Sequence, residues 1–184
     1  MSTTCVIWRR LDAPGHDACR LEEHEAGWIL DGGAVFREKG VPASLSYRIE
    51  CDRTWRSQRG RLHGWIGPDR IDFRIERTAG DTWTLNGVEQ AGVRDCIDLD
   101  LAITPATNLI PIRRLALAVG QSADAPAAWL QVAATSLVVL PQHYERRTEI
   151  TYLYEAPTTG FSGPLEVTPS GFARRYAGLW AMES

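Results

Sequence analysis

The chain has 184 residues, of which 44% are hydrophobic and 23% are charged, and its formal net charge is −3. These values are ordinary for a globular protein, and arginines interspersed among aspartates and glutamates argue against a nucleic-acid-binding protein. A chain of this length buries roughly 70% of its unfolded surface, so its core needs no disulfide or metal. We therefore expect one domain over residues 1–184.

The N-terminal segment and the cysteines predict the compartment. The first residues contain no apolar stretch followed by a small-residue cleavage site, which predicts no secretion signal. No apolar run approaches the roughly 18 residues of a membrane span, so we expect no transmembrane segment, while peripheral membrane contact stays open. Cys5, Cys19, Cys51 and Cys96 are far apart in the sequence, which favours reduced thiols in a cytoplasmic protein.

Alternation of apolar and polar residues predicts β-strands along most of the chain. Residues 12–18 and 105–110 are the best candidates for short helices. Asn86 and Gly87 follow one of the strands and are typical of a tight type I′ hairpin. The predicted strands include residues 44–51, 71–76, 83–85, 96–104, 115–119, 149–154 and 163–167.

Turn signals separate these strands at short intervals, which is typical of antiparallel connections. So many strands cannot stay in a flat sheet, because large twisted sheets curl or split. We therefore predict a mainly β fold, a single strongly curved antiparallel sheet that forms a half-barrel or open barrel with a few short helices. A half-barrel would leave a concave apolar face.

Aromatic residues are abundant, since the chain has seven tryptophans. Most of them are expected in the core of the sheet, but several could line an apolar groove, as aromatic side chains do in ligand pockets. The aromatic residues that we expect to line such a groove are Trp55, Trp65, Tyr144, Tyr152 and Trp180.

The segment from residue 96 to residue 115 concentrates polar groups within apolar sequence. Asp98 and Asp100 lie two residues apart, so on a strand both carboxylates would share one face, about 6.6 Å apart. That spacing could support acid–base chemistry by paired carboxylates. Ion pairs with Arg113 and Arg114, or exposure to solvent, explain the same pattern more simply. We therefore favour an internal Asp–Arg pair.

A turn and an arginine complete this segment. Thr107 and Asn108 follow Pro105, and such residues favour a turn. In an extended segment Arg113 would share an apolar face with Leu115. An arginine on such a face needs a partner, either a carboxylate of the protein or an anionic or hydroxyl-rich ligand.

The sequence lacks the common catalytic and cofactor motifs. It contains no phosphate-binding loop, no Gly-x-Ser-x-Gly motif and no His-Glu-x-x-His pair. His16, Cys19 and His24 have loosely metal-like spacing, but no matching second pair of ligands follows. We therefore expect no cofactor, no metal ion and no identified catalytic residue.

Three motifs resemble the signature of a bacterial family known as "putative glycolipid-binding" proteins. They are residues 96–101 (Cys-Ile-Asp-Leu-Asp-Leu), residues 104–108 (Thr-Pro-Ala-Thr-Asn) and residues 111–115 (Pro-Ile-Arg-Arg-Leu). Residues 47–55 and 176–180 are similar to an early strand pair and the closing motif of the same family. The resemblance extends from about residue 20 to Trp180, with departures at residues 109–110 and at Ala177.

The resemblance implies a curved antiparallel sheet with a few short helices. This outline is similar to that of periplasmic lipoprotein carriers, in which a concave face holds acyl chains. A fold analogy alone does not establish a function, and the resemblance implies no catalytic residue.

The favoured functional hypothesis is non-enzymatic binding of a lipid or glycolipid. Acyl chains would lie on the aromatic residues named above, and each buried methylene would contribute roughly 0.8 kcal/mol. The head group would contact Asp98, Asp100, Thr107, Asn108, Arg113 and Arg114 at the rim. Two alternatives stay open: an enzyme with Asp98 or Asp100 as acid or base, and an aromatic interface in a homodimer rather than a monomer.

Overall fold

The computed structural model describes residues 3–132 and 134–183. Its N-terminal half is an antiparallel meander of six long strands followed by two short ones. These strands are β1 (Thr3–Arg10), β2 (Gly15–His24), β3 (Gly27–Glu38), β4 (Val41–Asp52), β5 (Ser57–Ile66), β6 (Asp69–Arg77), β7 (Trp83–Leu85) and β8 (Val88–Glu89).

The middle of the chain has shorter elements. They are the strands β9 (Asp98–Leu101), β10 (Ser122–Asp124), β11 (Ala127–Leu130) and β12 (Val138–Leu140), the helix α1 (Leu109–Leu115), and 3₁₀ turns at Ala91–Val93 and Ala106–Asn108. A second meander follows, with β13 (His143–Arg146), β14 (Thr151–Ala156), a 3₁₀ turn at Pro157–Thr159, β15 (Phe161–Val167), β16 (Ala173–Tyr176) and β17 (Trp180–Met182).

Fourteen strands form one sheet in the order β10-β13-β14-β15-β16-β17-β1-β2-β3-β4-β5-β6-β7-β8. The two meanders join where β1 pairs with β17, with Trp8 opposite Met182. Every neighbouring pair in this sheet is antiparallel, and the sheet does not close into a barrel. The predicted mainly β fold with one large, open antiparallel sheet and a few short helices is therefore confirmed.

The middle segment packs against the apolar face of this sheet. Its strands β9, β11 and β12 form a second, three-stranded sheet. Leu99 and Leu101 of β9 belong to the same buried cluster as Leu45 and Ile49 of β4. The apolar face of the large sheet is therefore largely covered by the chain itself, which leaves less room for a ligand than the predicted concave face would offer.

Three expectations about secondary structure need correction. Residues 115–119 do not form the predicted strand, because Leu115 ends the helix α1 and a loop follows it. Residues 12–18 are not helical, because β2 begins at Gly15 and pairs with strands on both sides. The polar Asp17 occupies an inward-facing position of β2, and this hides the alternation of the strand. The pair β9–β11 is parallel rather than antiparallel, which the long connection through α1 allows.

The hairpin prediction is confirmed at Asn86 and Gly87. These residues join β7 to β8, and both have the positive φ angles, 50° and 81°, that a type I′ turn requires. The Asn86 side-chain oxygen also accepts a hydrogen bond from the Arg74 backbone N–H at 2.8 Å. This hydrogen bond holds the turn against β6 at the edge of the sheet.

Gly60 brings β9 close to the sheet. A Cβ atom at this position of β5 would lie 2.3 Å from Cδ2 of Leu99. The leucine side chain thus sits directly on the backbone of β5, and the Leu99 N–H donates a hydrogen bond to the Ser57 hydroxyl at 3.0 Å. This contact sets the distance between β5 and β9, the strand that carries Asp98 and Asp100.

We expect Gly60→Ala to lower the free energy of unfolding by about 1–3 kcal/mol, because overpacking forces Leu99 to move. Gly33→Ala is the matched control, since its Cβ would meet nothing closer than 3.5 Å. Urea unfolding of the two variants measures the difference. Equal stability of the two variants would contradict this packing of β9 on β5.

Candidate functional site

An ion pair anchors the central polar segment. The Arg114 guanidinium donates two hydrogen bonds to the Asp98 carboxylate, at 2.8 and 2.7 Å. Asp98 is fully buried, and burial raises its pKa while Arg114 opposes that rise. The predicted internal Asp–Arg pair therefore exists, with Arg114 and not Arg113 as the partner.

Asp100 has a different environment from Asp98. Its Oδ2 accepts hydrogen bonds from the Thr107 hydroxyl at 3.1 Å and from the Gln142 amide at 3.3 Å. Within residues 3–132 and 134–183, no cation pairs with it and no donor reaches its Oδ1. Burial raises its pKa to about 6, the two hydrogen bonds oppose the rise, and Asp98 adds to it. Of the two aspartates, only Asp100 stays available for a ligand.

Asn108 and Tyr144 lie in the interior rather than at a rim. The Tyr144 hydroxyl donates a hydrogen bond to Asn108 Oδ1 at 2.9 Å, and both side chains are buried. Tyr144 packs between Tyr152 and Tyr154, with ring centroids at 6.5 and 4.8 Å. These contacts join the middle segment to β13 and β14.

A small cavity lies beside Asp100, and we call it the Asp100 cavity. Its volume is about 150 Å³. Trp129 faces Asp100 across the parallel β9–β11 pair, and Trp180 is the neighbour of Tyr176 across β16–β17. Its lining includes Asp100, Asn108 and the aromatic residues Trp129, Tyr154, Tyr176 and Trp180, together with aliphatic residues such as Leu101, Leu140 and Leu179.

Arg113 lies on a helix, which corrects the expectation that it sits in an extended apolar segment. The helix α1 extends to Leu115, and Ala116 ends it in a left-handed conformation. Pro111 fits there because the first helical turn needs no N–H from its residues. Arg113 is exposed, and its guanidinium lies 5.6 Å from the ring centroid of Trp55. Two residues predicted for the site therefore meet.

A larger and more open cavity borders Arg113, and we call it the Arg113 groove. Its volume is about 600 Å³, within the usual range for small-molecule sites. Its walls combine apolar side chains with two arginines. The residues that define it are Ile112, Arg113, Val119, Arg146, Ile150 and Tyr152.

The charge of this groove is mainly positive. The Arg146 guanidinium lies 5.7 Å from the Tyr152 ring centroid and donates to the carbonyls of Leu117, Thr148 and Glu149. Among the described residues neither Arg146 nor Arg113 forms an ion pair with an acid, and Glu149 is the one carboxylate at the wall. An anionic group on an apolar body would fit this combination.

Two predicted aromatic residues lie elsewhere. Trp65 is 44% exposed on the outer face of β5, opposite the buried Leu62 and Ile66, and borders neither cavity. Trp55 is buried against Trp28, with stacked rings 4.8 Å apart, and touches the groove through Arg113.

Sequence reasoning missed a buried polar cluster. The Asp17 carboxylate accepts hydrogen bonds from the Thr104 hydroxyl at 2.5 Å and the Tyr47 hydroxyl at 3.1 Å. Burial raises the pKa of Asp17 to about 7, although both hydroxyl groups oppose the rise. The cluster ties β2 and β4 to the segment that follows β9. The sequence gives no sign of this cluster, because one aspartate in an alternating strand, such as Asp17 in β2, is usually exposed to solvent.

Several other features bear on function. The four cysteines are free thiols, and Cys19, Cys51 and Cys96 are buried. No group of three or more potential metal ligands occurs within the described part of the chain. Among the same residues, no helix is long and apolar enough to cross a membrane.

Comparison with known proteins identifies the family. The family model described as "Putative glycolipid-binding" matches residues 5–182. A crystal structure of a DUF1089 family protein from Pseudomonas aeruginosa is similar to this chain, with a TM-score of 0.81 and 27% sequence identity over 91% of each chain. A comparison with curated proteins gives no match. Because the family model covers almost the whole chain, the protein belongs to the putative glycolipid-binding family.

Proposed function

We propose that this protein binds a glycolipid-like amphiphile with an anionic head group in the Arg113 groove. The single observation that carries the proposal is the pairing of two arginines, free of acidic partners among the described residues, with an apolar wall in a cavity of about 600 Å³. The family name, which refers to glycolipids, supports the same ligand class.

The two halves of such a ligand would use different walls of the groove. Val119 and Ile150 are 54% and 48% exposed, and with Tyr152 they offer apolar surface to an alkyl chain. Burial of apolar area gives roughly 25 cal/mol per Å². Arg113 would donate to a carboxylate or phosphate of the head group, and such charge-assisted hydrogen bonds are about twice as strong as neutral ones.

The hydroxyl groups of a sugar would find further partners at one end of the groove. Thr168 and Ser170 form a turn there, with their hydroxyl oxygens 2.8 Å apart. A cytoplasmic setting for this binding is also part of the proposal, since free thiols persist in reducing compartments.

Octyl glucuronide is a suitable probe, because it joins an alkyl chain to an anionic sugar, and octyl glucoside is its neutral counterpart. We expect calorimetry below the micellar concentration to show binding of the glucuronide about tenfold tighter than the glucoside. Arg113→Ala should remove this difference. Arg70→Ala, at an exposed arginine on the outer face of β6, should preserve it.

A second pair of variants tests the apolar wall. Ile150→Asp places a carboxylate in the groove and should weaken binding of the glucuronide by at least about tenfold. Val35→Asp makes the same exchange at a residue that is 62% exposed on β3, and should leave binding unchanged. Failure of both amphiphiles to bind, or equal affinities in all four variants, would refute the proposed function.

A further inference from the structure

The Asp100 cavity has an unusual charge balance. Asp100 is 9% exposed, its Oδ2 has two uncharged partners, and its Oδ1 has none among the described residues. The nearby acid Asp98 is neutralised by Arg114 at 2.7 Å. Burying a carboxylate without a counter-charge costs free energy, so a single positive charge bound in the cavity would be stabilised by Asp100.

Arg10, which lies next to the cavity wall, does not supply this positive charge. Arg10 lies over Trp180, 5.5 Å from its ring centroid, but it does not line the cavity. Its guanidinium instead forms two hydrogen bonds with Asp12, at 3.0 and 2.7 Å. Arg114 and Arg10 are therefore both paired with carboxylates other than Asp100.

The other walls of the cavity combine aromatic side chains with aliphatic ones such as Leu101, Leu140 and Leu179. Trp129 is the register partner of Asp100 on the adjacent strand, so the two side chains lie on one side of the small sheet. Tyr154 and Tyr176 meet edge to face, with centroids 5.5 Å apart. Burial raises the pKa of both hydroxyls, and the charge of Asp100 adds to the rise. Faces of tryptophan and tyrosine attract organic cations, and enclosing aromatic residues are a known means of binding quaternary ammonium groups.

The size of the cavity limits the ligand. A volume of about 150 Å³ corresponds to roughly five water molecules. It is below the range of about 300–1,000 Å³ that drug-sized ligands occupy. A trimethylammonium or primary ammonium group fits this space, whereas a glycolipid does not.

We propose that the Asp100 cavity is a binding site for a small organic ammonium ion, held by the Asp100 carboxylate and the surrounding aromatic rings. This site is separate from the proposed function, because the Arg113 groove and the Asp100 cavity share no lining residue. The cation could be a free metabolite or the head group of a lipid, since the ammonium chemistry is the same.

Choline chloride is the first probe, and dimethylbutanol, its uncharged carbon isostere, is the matched control. We expect calorimetry at pH 7.5 to show choline binding at least tenfold tighter than the alcohol. Asp100→Asn should abolish this preference. Asp69→Asn, at an exposed aspartate of β6 without an ion pair among the described residues, should preserve it. Trp129→Leu should weaken choline binding and preserve the fold.

The comparison of choline with its isostere uses the wild-type protein, so it stays decisive even if Asp100→Asn fails to fold. Equal affinities of choline and the alcohol, tighter binding of methyl glucoside than of choline, or unchanged choline binding by a folded Asp100→Asn variant would each overturn the proposal. A lipid source is indicated if vesicles of phosphatidylcholine compete with choline, and a free cation if they do not. Octyl glucuronide binding should be the same with and without choline.

Discussion

Replacement of Arg114 by alanine is expected to lower the free energy of unfolding by about 3–5 kcal/mol, because it leaves a buried carboxylate unpaired. Asp98 is 1% exposed and receives both of its side-chain hydrogen bonds from Arg114. Burial already raises the pKa of Asp98, and loss of the arginine would raise it further. The loss of stability should therefore shrink as the pH falls and Asp98 takes up a proton.

Urea unfolding at several pH values measures this effect. Arg113→Ala is the matched control, since this arginine is exposed, forms no ion pair among the described residues and lies over Trp55, so its loss should cost less than about 1 kcal/mol. The double variant Asp98→Asn/Arg114→Met should recover much of the lost stability, because it removes both charges. Similar losses in Arg113→Ala and Arg114→Ala would contradict the assignment of the ion pair.

Asp17 should make the stability of the protein depend on pH. Its pKa rises from 3.8 to about 7 on folding, so between these values the native state holds a proton that the unfolded state has lost. Its contribution to stability is fully present below pH 3.8 and is lost as the pH rises through about 7. At about 1.4 kcal/mol per pKa unit, a shift of this size corresponds to a loss of about 4 kcal/mol.

The Asp17→Asn variant isolates this contribution. The free energy of unfolding of the wild type minus that of the variant should fall by about 2–4 kcal/mol between pH 4 and pH 8, and subtraction cancels the smaller effect of Asp100. Asp69→Asn, at an exposed aspartate, is the matched control for the exchange itself. A flat difference for Asp17→Asn would show that this buried cluster does not titrate.

Sequence patterns predicted the features that depend on local chemistry. Alternation identified the long strands, and the Asn86–Gly87 pair identified a hairpin because few other residues adopt positive φ at both turn positions. The internal Asp–Arg pair was also predictable, since buried charges must be compensated. Its exact partner was not, because Arg113 and Arg114 differ only in which side of a short helix they occupy.

The remaining features depend on contacts that are distant in the sequence. The cluster of Asp17, Tyr47 and Thr104 joins residues 30 to 87 positions apart, and no local pattern encodes such a meeting. The Arg113 groove likewise forms where α1 meets β13 and the turn before β14. No local sequence pattern therefore marks Arg146 or Ile150 as residues of a site. The helical segment extends beyond the predicted residues 105–110 to Leu115, because Pro111 is tolerated in the first turn of α1.

The central claim is that an anionic amphiphile occupies the Arg113 groove, and amide chemical shifts test it most directly. On addition of octyl glucuronide to the ¹⁵N-labelled protein, the largest changes should occur at Ile150, Tyr152 and Gly171, which line the groove. Amides on the outer face of the sheet, at Val35 and Trp65, should stay unchanged. Changes confined to the outer face or to the Asp100 cavity, or no changes at all, would contradict the account.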